Sequence, residues 1–164
     1  MPDDLLELLK KQFEQYKLLA EKAMAQMPDE QLSWQYDEDV NSIAIIIKHM
    51  WGNMLSRWTD FLTSDGEKEW RQRDAEFEND ITTREELMSK WNEGWSCFFN
   101  ALNSLKAKDL SKEVFIRNER HTVTEAILRQ LAHYSYHVGQ IVYIARMLNG
   151  EHWTSLSIPK AGRG

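Results

Sequence analysis

The sequence predicts an all-α fold: a four-helix bundle with a long crossover between its second and third helices. Three observations predict it. Apolar residues recur at helical spacing through four separate segments. Breakers are scarce, with seven Gly and three Pro in 164 residues, as suits a mostly helical chain. The polar stretch SDGEKEWRQRDAEFEND, between the second and third segments, has no sustained period and is long enough to cross the bundle instead of turning a tight hairpin. The expected unit is a single domain over residues 1–164 with one sizeable core.

Each element follows from local signals. The first helix, about Asp3 to Met27, carries Leu5, Leu8, Leu9, Phe13, Tyr16, Leu19, Ala20, Ala23 and Met27, with Pro28 as the stop. The second, about Ser42 to Leu62, places Ile43, Ile46, Ile47, Met50, Met54, Trp58 and Phe61 on one side. Its run Ile45-Ile46-Ile47 has strand character, but the length of the periodic pattern favours helix. The third begins at Thr82 or Thr83, because Thr82…Glu85 and Thr83…Glu86 both have capping-box spacing, and continues through Leu87, Trp91, Trp95, Phe98, Leu102 and Leu105. Val114, Phe115 and Ile116, between Ala107 and His121, suit a short extended segment. The fourth helix starts at Thr122, boxed with Glu125, and ends near Asn149-Gly150.

Composition narrows the function. Twenty Lys and Arg against 26 Asp and Glu give a net charge of −6, which argues against a nucleic-acid partner because phosphate contact needs cationic surface. Cys97 is the single cysteine, so no internal disulfide is available. The start MPDDLLELLKK lacks the character of an export signal, and the most apolar run, Ile43 to Ile47, is far too short to cross a bilayer. The expectation is a cytoplasmic protein with no membrane partner. Among seven tryptophans, Trp58, Trp91 and Trp95 sit at core spacing, while Trp34, Trp51, Trp70 and Trp153 fall at bundle ends or a pocket mouth. The charged group Arg71, Arg73, Asp74, Glu76 and Glu78 reads as a solvated face or, given its place in the crossover, a pocket lining.

The histidines carry the chemistry. His133 and His137 are four residues apart, so they share a face, on the flank of the fourth helix's apolar arc with Gln130. His49 flanks the arc of the second helix beside Asn53 and Asp60, with Arg57 further along. A histidine pair at this spacing plus a third from a packed helix makes a three-histidine metal site with open positions. Hydrogen-bonded core histidines account for the spacing as well. Zincin chemistry is excluded because Tyr134, not Glu, follows His133, and a di-iron carboxylate site is excluded because no Glu-x-x-His pair occurs. His121 and His152 read as local loop residues, and Cys97, between Trp95 and Phe98, as a buried structural thiol.

IKHMWGNMLSRWTDFLTSDGEKEWRQRDAEF, WNEGW, and RQLAHYSYHVGQIVYIARML with a closing LSIP together resemble the DinB-like superfamily, and within it a subfamily of small bacterial proteins of unassigned function. The resemblance covers nearly the whole chain. It implies a four-helix bundle and a divalent metal (Zn, Ni, Fe, Mn or Co) on His49, His133 and His137, the trio that the helical faces also select. Characterised relatives use low-molecular-weight thiols such as bacillithiol or mycothiol. The resemblance therefore implies a metal-dependent S-transferase acting on a small-molecule substrate, and the histidine trio suits a hydrolase as well. Asn53, Arg57, Asp60, Tyr134 and Gln140 are the pocket residues expected to orient water or substrate, and a homodimer is the expected assembly. The alternative is a non-catalytic interaction module or a metal-carrying protein.

Overall fold

The structure, a computed structural model, describes residues 2–158. Four long helices account for most of it: α1 (Pro2–Met24), α2 (Ile43–Trp58), α3 (Arg84–Ser104) and α4 (Val123–Asn149). A two-stranded antiparallel hairpin, β1 (Glu113–Ile116) with β2 (Glu119–Thr122), precedes α4. The expected extended segment at Val114–Ile116 is thus one half of a hairpin, and the expectation of an all-α protein is corrected to mostly helical with a small sheet. Arg117 and Asn118 turn the hairpin with φ of 55° and 61°, the primed geometry that matches strand twist. Asp65 accepts the N–H groups of both turn residues, at 2.9 and 2.8 Å, which ties the hairpin to the crossover.

Helix α2 packs along α3, α1 along α4, and α2 also meets α4. This makes α2 central. Nearly every residue from Ile43 to Trp58 is buried, which explains its continuous β-branched run: a helix buried on all sides needs no polar face. The core closes around Phe98, whose ring centroid lies 4.5 Å from Phe13, 4.9 Å from Trp58 and 5.6 Å from Tyr134. Trp58, Trp91 and Trp95 are buried in it, as their spacing indicates.

Boundaries differ in instructive ways. Thr83, not Thr82, caps α3, accepting from Glu86 N–H at 3.2 Å. The Thr122–Glu125 capping box is formed, and Gly150 ends α4 at a φ of 52° that L-side chains rarely adopt. On α1 the buried stripe is Leu6, Leu9, Phe13 and Ala20, while Leu5 and Leu8 face outward. Helix α2 stops at Trp58, four residues before Leu62: Thr59 is extended, Asp60 takes a φ of 50°, and Phe61 folds back onto Trp58 at 4.4 Å. Pro159 of the LSIP segment lies outside the described residues. Among the described residues, no helix is long and apolar enough to cross a membrane.

Candidate metal centre

His49 from α2 and His133 and His137 from α4 converge, with one ligand nitrogen of each within 4.8 Å of the others. His133 Nε2 lies 3.3 Å from His49 Nε2 and 3.1 Å from His137 Nε2. Those separations are close to the roughly 3.3 Å expected between ligand atoms of a tetrahedral ion with metal–nitrogen bonds of about 2.0–2.1 Å. The donor set therefore fits a divalent cation.

A second tier fixes each ring. His49 Nδ1 donates to Glu76 Oε2 at 2.9 Å, leaving Nε2 with its lone pair. His137 Nδ1 donates to Gln140 Oε1 at 2.8 Å, with the same result. His133 Nδ1 faces Gln130 Nε2 at 2.9 Å. An amide N–H there puts the His133 proton on Nε2, between the lone pairs of the other two rings. Coordination through that nitrogen needs the proton on Nδ1 and the Gln130 carbonyl facing it. Gln130 in turn donates to Asn53 Oδ1 at 3.0 Å, which also accepts from Tyr134 Oη at 3.3 Å.

Glu76 is buried and reaches the site because α2 makes room. A Cβ on Gly52 would stand 2.2 Å from Glu76 Oε1, so any side chain one turn after His49 would push the carboxylate aside. Arg71 grips the carboxylate with both prongs, Nε to Oε1 at 2.7 Å and Nη2 to Oε2 at 2.9 Å. Phe77 stacks on the His49 ring at 5.1 Å.

Burial dominates the electrostatics. It lowers His133 to a pKa of about 3, helped by the charges of His137 and His49. It lowers His137 to about 4, partly opposed by the Gln140 hydrogen bond. Both rings are thus neutral near pH 7, the form that binds metal. For Glu76, burial favours the acid, but the hydrogen bonds from His49 and Arg71 outweigh it and hold the carboxyl below its ordinary range.

An open cavity of about 350 Å³ adjoins the trio at His49 and His133, lined also by Asn53, Arg57, Gln130 and Tyr136. Of the residues expected there, Asn53 and Arg57 line it. Gln140 backs His137. Tyr134 is buried beneath, bonded to Asn53 and accepting from Trp58 Nε1 at 3.3 Å. Asp60 is elsewhere: past the end of α2, exposed, in a separate groove with Phe61 and Ser104. His121 and His152 stay outside the trio. Cys97 is half-buried, with Sγ near Thr59 Oγ1 and Met54 O, and burial raises its pKa. Among the described residues no tryptophan lines the cavity; the aromatic rings near the trio are Phe77, Tyr134 and Tyr136.

The sequence places Glu76 only within a charged group that could line a pocket, and Gln130 only on the histidine flank, without a role at the histidines for either. Gln130 carried a signal, one turn before His133 on the same flank. Glu76 and Arg71 carried none beyond their place in a long polar crossover. Of that charged group Glu76 and Arg71 turn inward, and Arg73 lines the cavity, while Asp74 and Glu78 are exposed.

A family described as "protein of unknown function (DUF1572)" matches the chain over residues 1–162. The chain belongs to this family. No curated protein and no solved structure matches it.

Proposed function

We propose that this DUF1572 chain is a DinB-like four-helix-bundle metalloenzyme acting on a small-molecule substrate. The observation that carries this reading is the convergence of three imidazoles, each held at Nδ1 by a neighbouring side chain, on one point beside an open cavity. His49, His133 and His137 would hold a divalent ion through Nε2, His133 with its proton on Nδ1 and the Gln130 carbonyl facing it. Such an ion supplies Lewis acidity, lowering the pKa of a bound water or thiol toward neutrality. Glu76, Gln130 and Gln140 keep the rings oriented. Asn53 and Arg57 orient substrate from the cavity wall, and Tyr134 holds Asn53 from below.

The reaction class is S-transfer from a low-molecular-weight thiol of the bacillithiol type. The chain's own sulfur does not serve, because Cys97 lies outside the cavity with its pKa raised by burial. The test is metal content of protein prepared without a histidine tag under metal-replete conditions, beside His137→Ala. One ion per chain in the parent and none in the variant is expected. Loss of the ion to a chelator should lower the melting temperature, since an ion bound to the folded state stabilises it by linkage. No stoichiometric metal in the parent sinks the proposal and favours structural histidines. Turnover of electrophiles only when bacillithiol is added separates S-transfer from hydrolysis.

A further inference from the structure

We propose that Arg57 anchors an oxyanion subsite in the histidine cavity, where it takes a carboxylate or phosphate group of the small-molecule ligand. Arg57 is 5% exposed and lines the cavity. Its Nε and Nη1 are inaccessible, lie over Gly66 and have no hydrogen-bond partner among the described residues, which leaves Nη2 as the nitrogen that can meet a ligand in the cavity. A buried, unpaired guanidinium is costly. An unpaired group of this kind calls for a partner that the chain itself does not supply.

The carboxylates near Arg57 are committed elsewhere. Glu67 Oε1 accepts from Arg71 at 3.4 Å and its Oε2 from Arg117 at 3.1 Å. Asp65 accepts the backbone N–H groups of Glu67, Arg117 and Asn118 at 2.7 to 2.9 Å. Glu76 is held by Arg71 and His49. Burial depresses the pKa of Arg57, and the Glu67 charge offsets this only in part.

Arg73 and Arg129 line the same cavity, as does Arg117, which Glu67 pairs, so a pocket with an excess of positive charge sits in a chain of net charge −6. A local field of that sign draws anions in, and guanidinium geometry matches carboxylate and phosphate. Arg57 stands eight residues beyond His49 on α2, about 12 Å along the axis. The ligand is therefore several bonds long, with its oxyanion at Arg57 and its reacting end toward the histidines. Asn53 lies between. In the metal-free arrangement its carbonyl is occupied by Gln130 and Tyr134, so its N–H₂ is what it offers the ligand.

This names a substrate class for the site proposed above, yet anion capture at Arg57 needs no metal, so the two readings fail separately. The test is thermal unfolding of the full chain, stripped of metal on a chelating resin, at fixed chloride, with inorganic phosphate or succinate as probe. A saturable rise in melting temperature is expected in the parent. In Arg57→Met the apparent affinity should fall at least about tenfold, while the melting temperature without ligand stays at or above that of the parent because an unpaired buried charge is gone. Arg129→Gln, at an exposed position, should weaken binding a few-fold. A response to phosphate alone assigns a phosphate, and to succinate alone a carboxylate. No response in the parent to either anion overturns the proposal, as does an unchanged response in Arg57→Met. If Arg57→Met fails to fold, an unchanged response in Arg129→Gln overturns it. Metal content of the same variants, measured after reloading, reports on the metal centre independently.

Discussion

The two walls of the cavity are built differently. One is regular: α2 and α4 place His49, His133 and His137 by helical periodicity, and α4 backs its own two histidines with neutral amides, Gln130 and Gln140. The other is irregular: the crossover supplies Glu76 and Arg71, and the hairpin tied to it supplies Arg117. The helical wall carries the ligating atoms. The irregular wall carries the charges that orient one ligand and line the entrance. Rigid helices set the ligand positions, while a segment without a period is free to present a carboxylate and several guanidinium groups to one spot.

The largest expected effect comes from the helical wall. His137→Ala removes a ligating nitrogen and should weaken metal binding well beyond the roughly 10–100-fold expected when an outer group is lost. Metal titration of the variant beside the parent measures it. An affinity equal to that of the parent would show that the helical wall does not bind the ion.

The irregular wall should matter less, but measurably. Glu76→Gln keeps an acceptor for His49 yet removes the charge, and metal affinity should fall about 10–100-fold with the fold intact. Gly52→Ala should act in the same direction from the opposite side. Its new methyl would overlap the Glu76 carboxylate, 2.2 Å away, so the carboxylate must move. If Gly52→Ala leaves affinity unchanged while Glu76→Gln lowers it, the carboxylate has somewhere else to stand.

The difference in backing also has a pH signature. His133 and His137 have folded pKa values of about 3 and about 4 against an ordinary value of 6.5. Above that ordinary value both folded and unfolded chains hold these rings neutral. As pH falls from 6.5 toward 4, the unfolded chain binds protons that the folded chain refuses. The metal-free protein should therefore lose stability, by at most about 1.4 kcal/mol per pH unit for each ring. Denaturant unfolding across that range measures the slope. Gln140→Glu gives His137 a carboxylate like that of His49 and should make the slope shallower. An unchanged slope would mean that the amide at this position does not set the protonation of His137.

The same contrast explains what was legible in the sequence. The three histidines were readable because 3.6-residue periodicity puts His133 over His137 and His49 beside Asn53. The caps at Thr83 and Thr122 were readable from local side-chain chemistry. Glu76 was not, because its burial depends on a gap left by Gly52 on another element. The hairpin was half readable: Val114 to Ile116 had β character, but the turn at Arg117-Asn118 is stabilised by Asp65, more than fifty residues earlier.

Asp60 is where periodicity was extended too far. Helical spacing from His49 keeps it on the site's flank only if the helix continues, and α2 stops at Trp58. Asp60 instead takes a φ of 50°, a conformation that Asn tolerates as well as Asp. Asp60→Asn should therefore change stability by no more than about 0.5 kcal/mol and leave metal affinity unchanged. A tenfold loss of affinity would require the Asp60 charge to reach the trio, and hence α2 to continue past Trp58 when the ion is bound. This smallest expected effect is thus a direct test of where the regular wall ends.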